Sequence, residues 1–152
     1  MYLLKQLCII LSLLSLNACT PSSSENPDVV KTAEEIASSL DEISQALDTI
    51  EDYDSMRKAE AIIDKAGDNL VKLYATVKDQ STNKENSAKI QQIIKPASKR
   101  LQEKRESIMQ KFRENQAVTY GIVIMFNNLS AKYQETSGVK PATYVIPTPE
   151  KK

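Results

Sequence analysis

The sequence predicts an all-α protein, an up-down bundle of three to four helices between a disordered N-terminal linker and a proline-rich C-terminal tail. Three observations carry that expectation. The chain of 152 residues holds only three Gly and no Trp, too little glycine for a phosphate-cradling loop or a turn-rich β-sandwich. Its commonest residues, Lys, Glu, Ala, Ile, Leu, Ser and Gln, are mostly good helix formers. Its apolar residues recur three and four apart over long stretches, the spacing of one helix face.

The first helix is predicted over about 27–52. Asn26-Pro27 supplies an N-cap and a proline at the first helical position. Val29, Ala33, Ile36, Leu40, Ile43, Leu47 and Ile50 then follow with alternating spacings of four and three, a heptad seam. Ala37, Ser39, Ser44 and Ala46 beside it are small and permit close packing. Asp52-Tyr53-Asp54-Ser55 is a poor helical stretch and a fresh N-cap, and the seam changes phase there.

The second helix spans about 55–79, on Met56, Ala59, Ile63, Ala66, Leu70, Leu73 and Val77, widened by Ile62 and Tyr74. Gly67 beside this seam costs about 1 kcal/mol relative to Ala but lets a neighbouring helix come close. Gln80-Ser81-Thr82-Asn83 is a loop, and Thr82 with Glu85 forms a capping-box pattern.

The third helix carries Ile90, Ile93, Ile94, Ala97, Leu101, Ile108 and Phe112, with Pro96 inside it predicting a kink. Beyond Leu101 its seam turns polar, at Lys104 and Lys111. Residues 117–126 are apolar nearly all round. With Leu129, Tyr133 and a C-capping Gly138 they predict a fourth helix over about 116–136. The β-branched and aromatic content of that stretch leaves a strand as the alternative, with Val145 and Ile146 as its partner. Prolines 141, 147 and 149 exclude helix from the tail. The helices also fit one long antiparallel hairpin with arms 27–79 and 84–136. Bundle and hairpin alike pair the second helix with the third and the first with the fourth. The bundle is preferred because it removes more apolar area from water, at about 25 cal/mol per Å².

The N-terminus is an address. Met1 to Lys5 is a short basic start, and residues 7–16 are an apolar core too short to span a bilayer. Leu16-Asn17-Ala18-Cys19 follows. This segment resembles the lipobox of bacterial lipoproteins, with an aliphatic residue at −3, a small one at −1 and Cys at +1; Asn at −2 is a less usual choice. The resemblance covers residues 1–19 alone. It implies cleavage before Cys19, acylation of that residue, and anchoring to membrane lipid. Thr20, in place of the Asp that retains such proteins at the inner membrane, implies the periplasmic face of the outer membrane in a Gram-negative cell. The chain thus divides into a signal peptide (1–18), a lipid-anchored flexible linker (19–26), a helical body (27–137) and an extended tail (138–152). Cys8 falls in the signal, so the mature chain has no cysteine for a disulfide or a metal site.

Chemistry is scarce. The chain has no His, the commonest acid/base group and metal ligand. Twenty basic and twenty acidic residues balance, which gives no sign of nucleic acid. Asp52-Tyr53-Asp54 is no calcium loop, since Arg57 and Ile63 stand where an EF-hand needs Gly and Glu. No catalytic motif, metal site or cofactor is predicted. Residues 28–54 carry nine acidic groups against one Lys, and residues 84–115 nine basic against four acidic. Such faces suit charged partners, or simply solvate the helices and help the first and third choose each other.

The sequence therefore predicts a non-enzymatic envelope lipoprotein, a protein-interaction or structural module holding an envelope protein partner. Tyr120, Ile122, Met125 and Phe126 are its candidate interaction surface if 117–126 is not core. The alternative is a bundle that binds a small apolar ligand or lipid among Tyr74, Phe112, Tyr120, Met125 and Phe126. The chain ends Glu150-Lys151-Lys152 after its proline-rich spacer. That ending resembles the outer-membrane murein lipoproteins, whose terminal Lys is joined to peptidoglycan, and implies a peptidoglycan contact. Those proteins are short single heptad helices, however, and this chain has several.

Overall fold

The computed structural model describes residues 27–80 and 84–137, and these form four helices: α1 (Pro27–Asp48), α2 (Tyr53–Gln80), α3 (Lys84–Lys111) and α4 (Gln116–Ser137). Among the described residues there is no strand, so the strand alternative for 116–136 gives way to helix. The capping pair Thr82–Glu85 and the segment Val145–Ile146 lie partly or wholly outside the described residues.

The seam of α1 is buried along its whole length. Val29, Ala33, Ile36, Leu40, Ile43, Leu47 and Ile50 are each at most 7% exposed. Thr32, Ser39, Ser44 and Ala46 are buried as well, so α1 loses far more of its circumference to the core than one seam requires. The reason is that it packs against both α2 and α3. Small side chains on its flanks let two neighbours approach at once. Their hydroxyls bond back to the helix: Thr32 Oγ1 donates to the Asp28 carbonyl at 2.7 Å and Ser39 Oγ to the Glu35 carbonyl at 3.0 Å. Asn69 Nδ2 on α2 donates to Ser39 Oγ at 3.0 Å, which ties the two helices. Ser44 Oγ alone is buried without a partner among the described residues.

Helix α1 stops at Asp48, before the predicted end at 52, and the turn to α2 is closed by Asp52. The Ser55 amide donates to Asp52 Oδ1 at 2.8 Å, and the Asp52 amide donates to Ser55 Oγ at 2.9 Å. This is a reciprocal capping box in which Ser serves at the third helical position. Helix α4 has a one-sided cap, the Val118 amide donating to Asn115 Oδ1 at 3.3 Å. Helix α3 runs unbroken through Pro96, which lies on its exposed side.

The order of packing differs from the expected one. The extensive contacts are α1 with α3, α1 with α2, and α2 with α4; α2 with α3 and α1 with α4 touch only slightly. The expectation that sequence neighbours α2 and α3 pair, and that α1 pairs with α4, is therefore corrected, and the long hairpin falls with it. Helices α1 and α2 are antiparallel, folded back at 49–52. Helix α3 returns alongside α1 and parallel to it: Asp41, Asp48 and Ile50 meet Arg100, Lys104 and Lys111 in that order. Helix α4 lies parallel to α2, with Met56 against Gly121 and Gly67 against Leu129. The up-down-up-down course stands, laid out spatially as α3, α1, α2, α4.

Two glycines set the α2–α4 spacing. A Cβ on Gly67 would fall 2.6 Å from Leu129 Cδ1, and one on Gly121 2.0 Å from Met56 Sδ and 2.7 Å from its Cε. Each helix thus contributes one notch to the other. Ala gains about 1 kcal/mol of helix propensity over Gly, while overpacking costs about 1–3 kcal/mol. Met56 is only 2% exposed, so its thioether would have to be repacked inside the core, whereas Leu129 is half-buried and can turn outward. Gly121→Ala is expected to lower the thermal midpoint and Gly67→Ala to leave it near wild type, both read by circular dichroism. Ser44→Ala, which removes an orphaned hydroxyl and improves propensity, is expected to raise stability by about 1 kcal/mol in urea titration.

Candidate functional site

The lipobox residues Leu16, Ala18 and Cys19, the linker, and the tail with Lys151 and Lys152 lie outside the described residues. The proposed interaction set on α4 is split by the fold. Ile122, Met125 and Phe126 are core residues, 0%, 4% and 6% exposed, while Tyr120 is 63% exposed. The helix period explains the division. Ile122, Met125 and Phe126 share the face turned to α2 with Val118 and Leu129, and Tyr120 lies opposite. The structure thus corrects the set: only Tyr120 is available at the surface. It joins Ile124, which the sequence reading missed because an almost uniformly apolar run has no polar stripe to mark its outer face.

Of the residues suggested for an apolar ligand site, Met125 alone lines either of the two clefts described below. Phe112, Met125 and Phe126 are packed into the core. Arg105 on α3 covers the Phe126 ring at 4.7 Å from its centroid. Tyr74 meets Tyr133 edge to face at 5.1 Å and 80°, and burial together with the neighbouring Tyr133 pushes the Tyr74 phenol well above its ordinary value. Ile62, expected to widen the α2 seam inward, is 41% exposed.

Two clefts are lined mainly by charged and polar residues. One, of about 330 Å³, lies between α2 and α4, lined by Arg57, Glu60, Asp64, Asn128 and Lys132 with Ile63 and Met125 behind them. Lys132 Nζ donates to Asp64 at 2.5 Å and to Asp68 at 2.8 Å, and Arg57 pairs with Glu60 one turn on. The Lys132 hydrogen bond holds the Asp68 carboxyl below its usual range, and the two aspartates hold the Lys132 ammonium above its own. The other, of about 660 Å³, follows the α1–α3 groove past Asp41, Gln45, Asp48, Arg100 and Lys104. There Arg100 makes a forked pair to Asp41 at 2.7 and 3.0 Å, and Lys104 reaches Asp48 at 2.6 Å. In each cleft ion pairs cross the helix junction, Lys132 to Asp64 and Asp68 in one, Arg100 to Asp41 and Lys104 to Asp48 in the other, while Arg57–Glu60 and Lys99–Glu103 pair within a single helix. Lys104 and Lys111, the polar interruptions of the α3 seam, meet the C-terminal end of α1, where Lys111 Nζ donates to the Ile50 carbonyl at 2.9 Å. The seam turns polar where it faces a helix end with unpaired carbonyls and a negative dipole.

Among the described residues no group of three or more His, Cys, Asp or Glu side chains could hold a metal, and no helix is long and apolar enough to cross a membrane. The chain matches no family model, no curated protein and no solved structure.

The shifted groups fix the expected pH dependence. Asp52 is held low by its bonds from Ser55, and Asp68 by Lys132. A lowered carboxyl contributes stability that is present above its unfolded value and lost as pH falls through the folded one. Tyr74 is raised, so its contribution is complete below the tyrosine range and lost as pH rises beyond it. With no His in the chain, urea midpoints are expected to be flat through neutral pH and to fall in acid and in strong alkali. Tyr74→Phe is expected to move the alkaline fall to higher pH without moving the acid one.

Proposed function

We propose that this protein is a lipid-anchored, non-enzymatic lipoprotein of the bacterial envelope, whose helical body is an interaction or structural module at the periplasmic face of the outer membrane. The observation that carries the proposal is the segment Leu16-Asn17-Ala18-Cys19 placed just before a polar linker and a capped helix. A thiol takes up a diacylglyceryl group as a thioether, and the small Ala18 admits the peptidase that frees Cys19. Two or more acyl chains then hold the protein stably where one would not.

The geometry of the body supports this reading. Pro27, where the tether joins, and Ser137 lie at the same end, because α1 and α3 run one way and α2 and α4 the other. The turns at 49–52 and 112–115 stand at the opposite end. With α2 at 28 residues, the body is about 40 Å long at 1.5 Å per residue, a spacer that carries the far turns clear of the lipid. The buried apolar residues form one cluster shared by the four helices, and the carboxylates that line the two clefts, Asp41, Asp48, Glu60 and Asp64, are paired with Lys or Arg. These features favour a module that presents surfaces over one that encloses a small ligand.

Cys19→Ser is expected to abolish incorporation of labelled palmitate and to leave the protein as precursor or in the soluble fraction. A variant that still takes up label and sediments with membranes overturns the proposal.

A further inference from the structure

Helix α4 carries a second seam, opposite the one buried on α2. Ala117, Tyr120, Ile124, Asn127 and Ala131 recur with spacings of three, four, three and four, and all five are exposed. No Asp, Glu, Lys or Arg occurs in the sixteen residues from Gln116 to Ala131. The outward sides of the other helices are charged: Glu34, Glu35 and Glu42 on α1, Lys58, Lys65 and Lys72 on α2, Lys95 and Lys99 on α3. A heptad seam of this kind, with apolar knobs and one Asn, is the surface that a parallel coiled-coil partner requires.

We propose that this seam docks a second copy of the chain, α4 against α4 in parallel and in register. The charge pattern selects the occupant. In a parallel, in-register pair every seam residue meets its own twin, so any charge there meets a like charge. Among the outward faces, that of α4 is free of this conflict over more than four turns. Asn127, at a d position of this seam, meets its own twin in the in-register pair, so the seam's one polar amide faces a polar partner and not an apolar side chain. Ala117 and Ala131 at the ends let the backbones close up around Tyr120 and Ile124. The orientation agrees with the anchor: two copies tethered at their Pro27 ends in one membrane stand the same way up, so their α4 helices are parallel. Confinement to that membrane also raises the local concentration of the second copy. The inference deepens the interaction-module reading and rests on it, naming the partner as the protein itself.

The test is disulfide cross-linking in cells under mild copper–phenanthroline oxidation, with the wild-type chain as background for its native Cys8 and Cys19. Ile124→Cys and Asn127→Cys are each expected to give a dimer of the chain several-fold above wild type, and Glu35→Cys on α1 is expected to stay at background. Adding Ile124→Lys to the Asn127→Cys chain is expected to abolish the dimer while leaving the helical circular dichroism unchanged, since position 124 is exposed. Background yields at both 124 and 127 overturn the proposal. So does a cross-link to a different protein, or efficient linkage between an Ala117→Cys chain and an Ala131→Cys chain, which requires antiparallel helices. Fractionation run alongside separates the two readings. Dimer recovered in the soluble fraction supports the seam and overturns the anchor, whereas membrane-bound protein without dimer overturns the seam alone.

Discussion

The burial of α1 on two sides is the constraint from which the rest of the architecture follows. A surface helix hides one stripe; this one hides its heptad seam and a flank of Thr32, Ser39, Ser44 and Ala46 besides. That is feasible only because the flank is small and its hydroxyls mostly bond to the preceding turn, so that two neighbours can close in without stranding polar atoms. Here α2 and α3 lie on different sides of α1 and touch each other only slightly. Helix α4 is left with α2 as its main support, and its outer side stays open.

Electrostatics explains why the partner of α1 is α3. The acidic excess of residues 28–54 and the basic excess of 84–115 lie partly on outer faces and partly on the edges where α1 and α3 adjoin. They meet at Arg100–Asp41 and Lys104–Asp48 along the groove. Exposed pairs of this kind add little to stability, but they penalise the wrong neighbour and so contribute to specificity. They also relieve a strain of the parallel arrangement. Two parallel helices place their dipoles side by side, and α1 ends in Asp48 with no basic residue in its last turn. Lys104 and Lys111 of α3 supply the missing positive charge where the α1 carbonyls end.

The α2–α4 junction is held differently. Its closeness comes from two glycines, one on each helix, and its register from Lys132 between Asp64 and Asp68, one turn apart on α2. The apolar run 117–126 is thus divided between a face locked onto α2 and a face that carries Tyr120 and Ile124 into solvent. In the functional proposals these two faces have separate roles: one makes α4 part of the body, and the other makes the body something that can be held.

Helix existence, the seam residues of α1 and the turn at Asp52 were legible in the sequence, because each is local: a period of three and four, a cap, a change of phase. The close approach at Gly67 was legible for the same reason, since a glycine beside a seam has few other uses. The order of packing was not. Sequence adjacency suggested α2 against α3, whereas the charges already linked residues 28–54 to 84–115, and the tertiary structure followed the charges. The inner and outer faces of 117–126 were not separable either, because an all-apolar run carries no polar stripe. Only packing against α2, through Met56 and Gly121, decided that Ile122, Met125 and Phe126 go inside and Tyr120 stays out. Local chemistry determined the helices; which of their faces meet is a property of the assembled core, where all the helices compete for the same buried area.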